Sequence, residues 1–256
     1  MPKLSAITKQ SHADKTWTRF SSYAFASKSS IASMAGAEIA KAVVGGLPMG
    51  FVKEQGRFFL AAVLSLTPGT NLFVTQNGKW LGEYIPSAFR GYPFMLAKAE
   101  GKDDLILCVD EESGLVKDDK SAEPFFDDQG QLSKPVNDIL NFLSQIENNK
   151  RITIQAVAAL AEAGVITEWP LKIKHGDQEK PVTGLYRIDE AKLNSLEDEQ
   201  FTKLRKAGSL PIAYAQLLSM GNIQVFEKLA KAQRQAAVKT PDVGSFLGDD
   251  DVISFQ

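Results

Sequence analysis

From residue 49 the apolar residues take up the two-residue period of half-buried strands. Phe51-Val52-Lys53 and the stretch 57–66 flank Glu54-Gln55-Gly56, which reads as strand, turn, strand with Gly56 at the turn. Pro68-Gly69 is a turn by chemistry, since proline presets φ and glycine accepts φ > 0. Leu72-Phe73-Val74 and Lys79-Trp80-Leu81 flank Asn77-Gly78, the preferred hairpin pair. The apolar run 105–109 reads as a buried strand. An antiparallel sheet is therefore expected between about 49 and 110. Before it, residues 1–30 read as an extended segment over the core, and 31–44 as a short helix stopped by Gly45-Gly46.

Beyond residue 133 the period becomes helical. Ser133 is the expected N-cap, with Pro135 in the first turn. Val136, Ile139, Leu140, Leu143 and Ile146 share one face. A second helix is expected over 153–163, ending at Gly164, and a hairpin over 171–188. Asp189 caps the next turn. Ser195 to Asp198 has the form of a capping box for a helix that stops at Gly208, and Gly221 bends or breaks the last helix. The predicted fold class is α+β: an N-terminal antiparallel β region, 1–116, packed with a mainly helical C-terminal region, 134–234, that contains one hairpin. Residues 117–133 are charged and turn-rich and read as a soft linker. Residues 235–256, with Pro241 and Asp249-Asp250-Asp251, read as a flexible tail.

Composition narrows the function classes. The 256 residues are 44% hydrophobic, enough for a sizeable core, and the net charge of -2 offers no basic excess for nucleic acid. No apolar stretch approaches the ~20 residues of a membrane helix, and the first residues lack the apolar core of a signal peptide. The expectation is a cytoplasmic protein without membrane insertion, with non-classical export left open. Oligomeric state is not legible. Cys108 sits in an apolar run and reads as a small buried hydrophobe.

Candidate chemistry is sparse. The two histidines, His12 and His175, lie in polar stretches that suggest exposure, and neither stands beside a carboxylate that would orient it in a hydrolase triad. Zinc, phosphate-loop and dinucleotide motifs are absent, so no metal and no cofactor is expected. Asp110 and Glu111 follow the 105–109 strand and are candidate acid/base carboxylates, although a solvated turn is the plainer reading of the same residues. Trp80, Tyr84, Arg90 and Tyr92 are the candidate ligand-binding group: aromatics beside an arginine stack a ring or clamp a carboxylate. Core and rim packing is the plainer reading of the same residues.

Several phrases occur in order over about residues 15–230: Phe51-Val52-Lys53, Pro68-Gly69-Thr70-Asn71-Leu72-Phe73, Trp80-Leu81-Gly82-Glu83-Tyr84-Ile85-Pro86, Tyr92-Pro93-Phe94 and Cys108-Val109-Asp110-Glu111-Glu112-Ser113. Trp169-Pro170-Leu171, Gly184-Leu185-Tyr186-Arg187-Ile188-Asp189-Glu190 and Leu210-Pro211-Ile212-Ala213-Tyr214 follow. In these the chain resembles the SapC family of bacterial proteins. The resemblance implies association with a surface-layer system or with TonB-dependent outer-membrane uptake, and it supplies no catalytic residues. The leading expectation is a non-catalytic accessory or binding protein with a protein partner or small ligand. The alternatives are an enzyme acting on a peptide or small metabolite through Asp110 or Glu111, and a structural surface-layer component.

Overall fold

The computed structural model describes residues 3–98, 104–120, 122–175 and 178–238. The chain opens with β1 (Leu4–Ala6), α1 (Lys9–His12), β2 (Thr16–Trp17), β3 (Ile31–Ser33) and α2 (Ile39–Val44). The strands β4 (Met49–Glu54) and β5 (Arg57–Val63) follow, then α3 (Ser87–Arg90), β6 (Phe94–Lys98), β7 (Leu105–Asp110), β8 (Val116–Lys117) and β9 (Glu123–Pro124). The second half comprises α4 (Lys134–Glu162), β10 (Ile166–Glu168), β11 (Lys172–His175), β12 (Gln178–Pro181) and β13 (Leu185–Ile188). It closes with α5 (Glu190–Asn194), α6 (Asp198–Lys206), α7 (Ser209–Ser219) and α8 (Val225–Val238). The fold is α+β, as its two sequence periods imply.

β4 and β5 pair around Gln55 and Gly56, both at positive φ, so the local turn chemistry holds. The wider sheet differs from expectation. β4 and β5 lie in a five-stranded sheet ordered β10-β13-β4-β5-β3, whereas β6 and β7 belong to a separate sheet ordered β1-β7-β6. Between them the segments around Asn77-Gly78 make only the bridge Val74–Trp80. Phe73 and Trp80 turn into the core there and stack at 5.4 Å instead of extending a ladder. Residues 31–33 form the edge strand β3, which confines the expected 31–44 helix to α2 and the single 3-10 turn before it.

The two halves share the large sheet. Within the expected hairpin of 171–188, β11 pairs with β12; β13, expected to complete it, pairs instead with β4 and β10. The soft linker is likewise structural. β8 and β9 flank β2 in a three-stranded sheet, and Phe125 is fully buried. With Trp17, Phe94, Leu107, Val109 and Val136 it forms a second core beside the larger one under the five-stranded sheet.

The helix expected to end near Ile146 and restart near Thr153 is continuous over 29 residues. Val136 buries in the second core, and Ala156, Val157 and Leu160 bury in the first. The polar run from Glu147 to Arg151 that interrupts the apolar face marks the span between the two cores. Ser133 occupies the N-cap position without a side-chain cap bond. Ser195 ends α5, which Asp189 caps, so the capping box expected there does not form. Gly164 and Gly208 take left-handed φ at helix ends as expected, and Gly221 lies in the 3-10 segment between α7 and α8. Residues 235–238 of the expected tail belong to α8; the remainder, 239–256, lies outside the described residues.

One side chain joins the halves at the sheet itself. Leu185 faces Val52 and Tyr186 faces Phe51, so the same register carried on would set Ile188 opposite Met49. Gln216 of α7, fully buried, fills that place. The Ile188 N–H donates to its Oε1 at 2.8 Å, and its Nε2 donates to the Met49 carbonyl at 3.1 Å. Ser219 Oγ accepts from the Met49 N–H at 3.0 Å. Gln216→Leu keeps the volume but strands a buried N–H and a buried carbonyl. A loss on the order of 2–6 kcal/mol is expected in urea unfolding, at about 1–3 kcal/mol for each unpaired group.

Candidate functional site

Glu38 is a single acid in a small apolar run that leads into α2, and it is buried. Burial of a carboxylate demands donors, and four reach it. The Ala35 N–H donates to Oε1 at 2.9 Å, closing the 3-10 turn before α2. Ser87, the first residue of α3, donates its N–H to Oε2 at 2.8 Å and its hydroxyl to Oε1 at 2.7 Å. The Tyr84 hydroxyl donates to Oε2 at 2.8 Å. Gly45 permits this closure: a Cβ there would lie 2.5 Å from Tyr84 Cβ, so only glycine lets the end of α2 approach the Tyr84 backbone so closely.

Arg90 completes the cluster from the end of α3. Its Nη2 donates to the Tyr84 hydroxyl at 3.0 Å and lies 3.7 Å from Glu38 Oε2. The guanidinium carbon sits 5.6 Å from the Tyr84 ring centroid and 5.4 Å from that of Phe142 on α4. The side chain remains 40% exposed at a cavity of about 190 Å³. Lys41, Phe142, Gln145 and Asn149 also line this cavity. Burial pushes the Tyr84 phenol far above its ordinary value, helped by its bond to Glu38 and by the Glu38 charge, with Arg90 opposing. Tyr84 is therefore a neutral relay, accepting from Arg90 and donating to Glu38.

Of the expected ligand-binding group, Tyr84 and Arg90 come together here. Trp80 is buried against Phe73, and its Nε1 donates to the Tyr84 carbonyl at 3.1 Å. It lines a different open cavity, of about 340 Å³, with Tyr23 and Asn77. Tyr92 stacks on Phe25 at 3.9 Å, and its hydroxyl bonds Asp110. The pattern around Trp80–Phe94 thus marks one aromatic neighbourhood but not one pocket. Glu38 was missed by motif; its only signal is an isolated acid among alanines.

The two candidate carboxylates separate in role. Asp110 is buried, and its Oδ1 accepts from the Lys3 and Glu112 N–H groups, both at 3.1 Å. Its bonds tie β7 to the chain start and to Tyr92. Glu111 contacts Lys15 at 3.1 Å and His12 at 2.9 Å. His12 is fully buried against Phe125, at 5.0 Å between ring centroids, contrary to the exposure that its polar neighbours suggested. The reason is long-range: the linker and the end of β7 fold over it. Cys108 is buried as expected, and burial pushes its thiol up. Among the described residues no group of three or more His, Cys, Asp or Glu side chains gathers to hold a metal, and no helix is long and apolar enough to cross a membrane.

A family model described as SapC matches residues 7–226 of the chain. Neither the curated proteins nor the solved structures give a match.

Glu38→Gln removes both the charge and one acceptor oxygen facing Tyr84. The Tyr84 pKa is expected to fall toward 10.0, read by phenolate absorbance against a Tyr84→Phe blank. The raised phenol also carries a pH signature. The folded state keeps its proton after the unfolded chain has lost it, so the contribution is full below pH 10.0 and is lost as pH climbs toward the folded value. Tyr84→Phe is expected to flatten the alkaline fall in stability.

Proposed function

The chain belongs to the SapC family, and from that membership and the Arg90 cavity we propose an accessory binding protein that holds a carboxylate end group. The Arg90 guanidinium carries the reading. Two rings and the Tyr84 hydroxyl fix it in place, yet it stays 40% exposed. A guanidinium has five N–H donors, and a planar fork of them matches a carboxylate. Glu38 does not compete for the site as a free base, because four hydrogen bonds already fill its oxygens. Lys41 adds a second positive charge at the same cavity.

Size sets the ligand class. At about 190 Å³ the cavity is smaller than the roughly 300–1,000 Å³ of a pocket that encloses a drug-sized molecule. It suits one anionic terminus flanked by the Tyr84 and Phe142 rings, with the rest of the ligand outside. A small carboxylic acid or the C-terminus of a partner polypeptide meets that description. The raised phenol of Tyr84 is not poised to give up a proton at neutral pH, and four hydrogen bonds occupy the Glu38 oxygens, which favours holding over transforming. The setting we propose is the cytoplasm, beside a surface-layer or TonB-dependent outer-membrane uptake system, following the family resemblance.

Titration calorimetry with short peptides carrying a free or an amidated C-terminus tests this. The free carboxylate is expected to bind and the amide not to. Arg90→Ala is expected to weaken binding by roughly ten- to a hundredfold, the worth of a charge-assisted hydrogen bond. Equal binding of both peptides, or unchanged affinity in a folded Arg90→Ala variant, overturns the assignment.

A further inference from the structure

A second constellation lies apart from that cavity, on α1 and the end of β7. Thr8 caps α1, its Oγ1 accepting from the Ser11 N–H at 3.3 Å. Ser11 is exposed, and its Oγ lies 2.6 Å from Thr8 Oγ1 and 2.9 Å from His12 Nδ1, so with the Thr8 hydroxyl donating to it the Ser11 hydroxyl donates to the ring. The Thr8 N–H also points to Nδ1, at 3.4 Å, which makes that nitrogen the acceptor and leaves the ring proton on Nε2. Nε2 lies 2.9 Å from Glu111 Oε1, with its N–H off the line of a straight hydrogen bond to that oxygen. Lys15 steadies the carboxylate from the other side at 3.1 Å. Capping α1 needs only Thr8 and the Ser11 N–H. It does not need a buried imidazole with one nitrogen on a serine hydroxyl and the other on a carboxylate.

We propose that Ser11, His12 and Glu111 form a nucleophile–base–carboxylate relay that hydrolyses carboxylic esters. Ser11 is the nucleophile and His12 the base, whereas Glu111 is a positioning residue. Ser11 Oγ attacks the ester carbonyl as its proton passes to His12 Nδ1. The leaving alkoxide takes that proton, and an acyl–Ser11 ester remains. Water then attacks the acyl carbon, giving its proton to His12 and releasing the acid, and Ser11 recovers its hydroxyl proton. The groups facing His12 are Ser11, Thr8 and Lys15 from the first segment, Glu111 after β7, and the Phe125 ring. Burial lowers the His12 pKa, with Lys15 acting the same way and Glu111 opposing, so the imidazole is neutral and able to accept a proton. Because Ser11 is exposed, the fitting substrate is an ester carried at the surface of a larger molecule, or a small activated ester.

The test uses the full chain with a fluorophosphonate probe, in which Ser11 Oγ displaces fluoride at phosphorus, and with p-nitrophenyl acetate turnover. Labelling is expected at Ser11 by peptide mapping and is expected to vanish in Ser11→Ala, which, altering an exposed side chain, keeps the melting curve. Glu111→Gln is expected to slow both reactions roughly tenfold or more. It also removes a charge that raises the His12 pKa, so the acid limb of the rate profile moves to lower pH. A purely structural Glu111 would lower the melting temperature and leave that limb in place. Absence of labelling, labelling elsewhere, or turnover unchanged in Ser11→Ala overturns the proposal.

Discussion

The fold depends on a side-chain amide doing the work of a peptide group. Gln216 closes the hydrogen-bond gap between Met49 and Ile188, at a point where strands from the two halves of the chain meet. An amide carries one donor side and one acceptor side in a plane, which is what a ladder position requires. An apolar residue buried there would orphan the Ile188 N–H and leave the Met49 carbonyl only a long contact from Ser219 Oγ, at 3.4 Å. The five-stranded sheet is thereby completed by α7, and neither half has a closed hydrogen-bond inventory without the other. Ser219 reinforces the same junction through the Met49 N–H.

That junction organises the cavity as well. β4 carries the N-terminal sheet against α7, Asn222 fixes the carbonyls of Val43 in the last turn of α2 and of Leu47 just beyond it, and α2 follows the turn that carries Glu38. Glu38 then orders Tyr84 and Ser87, and through them Arg90. A buried carboxylate with every oxygen occupied behaves as a fixed anchor, because releasing any donor exposes charge to a poorly solvating interior. Arg90 is the partner left with capacity to spare.

Features set by neighbours in sequence were legible. The β4–β5 turn at Gly56, the ends of α4 and α6 beyond which Gly164 and Gly208 turn, the Asp189 cap and the buried Cys108 follow from residues within a few positions of each other. Features set by distant partners were not. Phe125 sits in a charged, turn-rich stretch, and only its packing with Trp17 and Val136 makes it core. His12 sits between Ser11 and Ala13 in a polar run, and its burial comes from Glu111 and Phe125. Tyr84 and Arg90 stood out as an aromatic–cation pair, but the acid that orients them lies outside the motif. The interruption in the apolar face of α4 reads as a helix break only if one core is assumed; two cores make it a bridge.

The geometry of α4 has a mechanical implication. It is anchored at Val136 in one core and at Val157 and Leu160 in the other, like a beam on two supports about 30 Å apart at 1.5 Å per residue. Phe142, Gln145 and Asn149, the residues it lends to the Arg90 cavity, lie near midspan. A helix clamped at both ends resists translation, and the turn carrying Glu38 is tied to it, the Gly36 N–H donating to Thr153 Oγ1 at 2.7 Å, so the two walls of the cavity are held at a set spacing and the site meets its ligand ready-shaped.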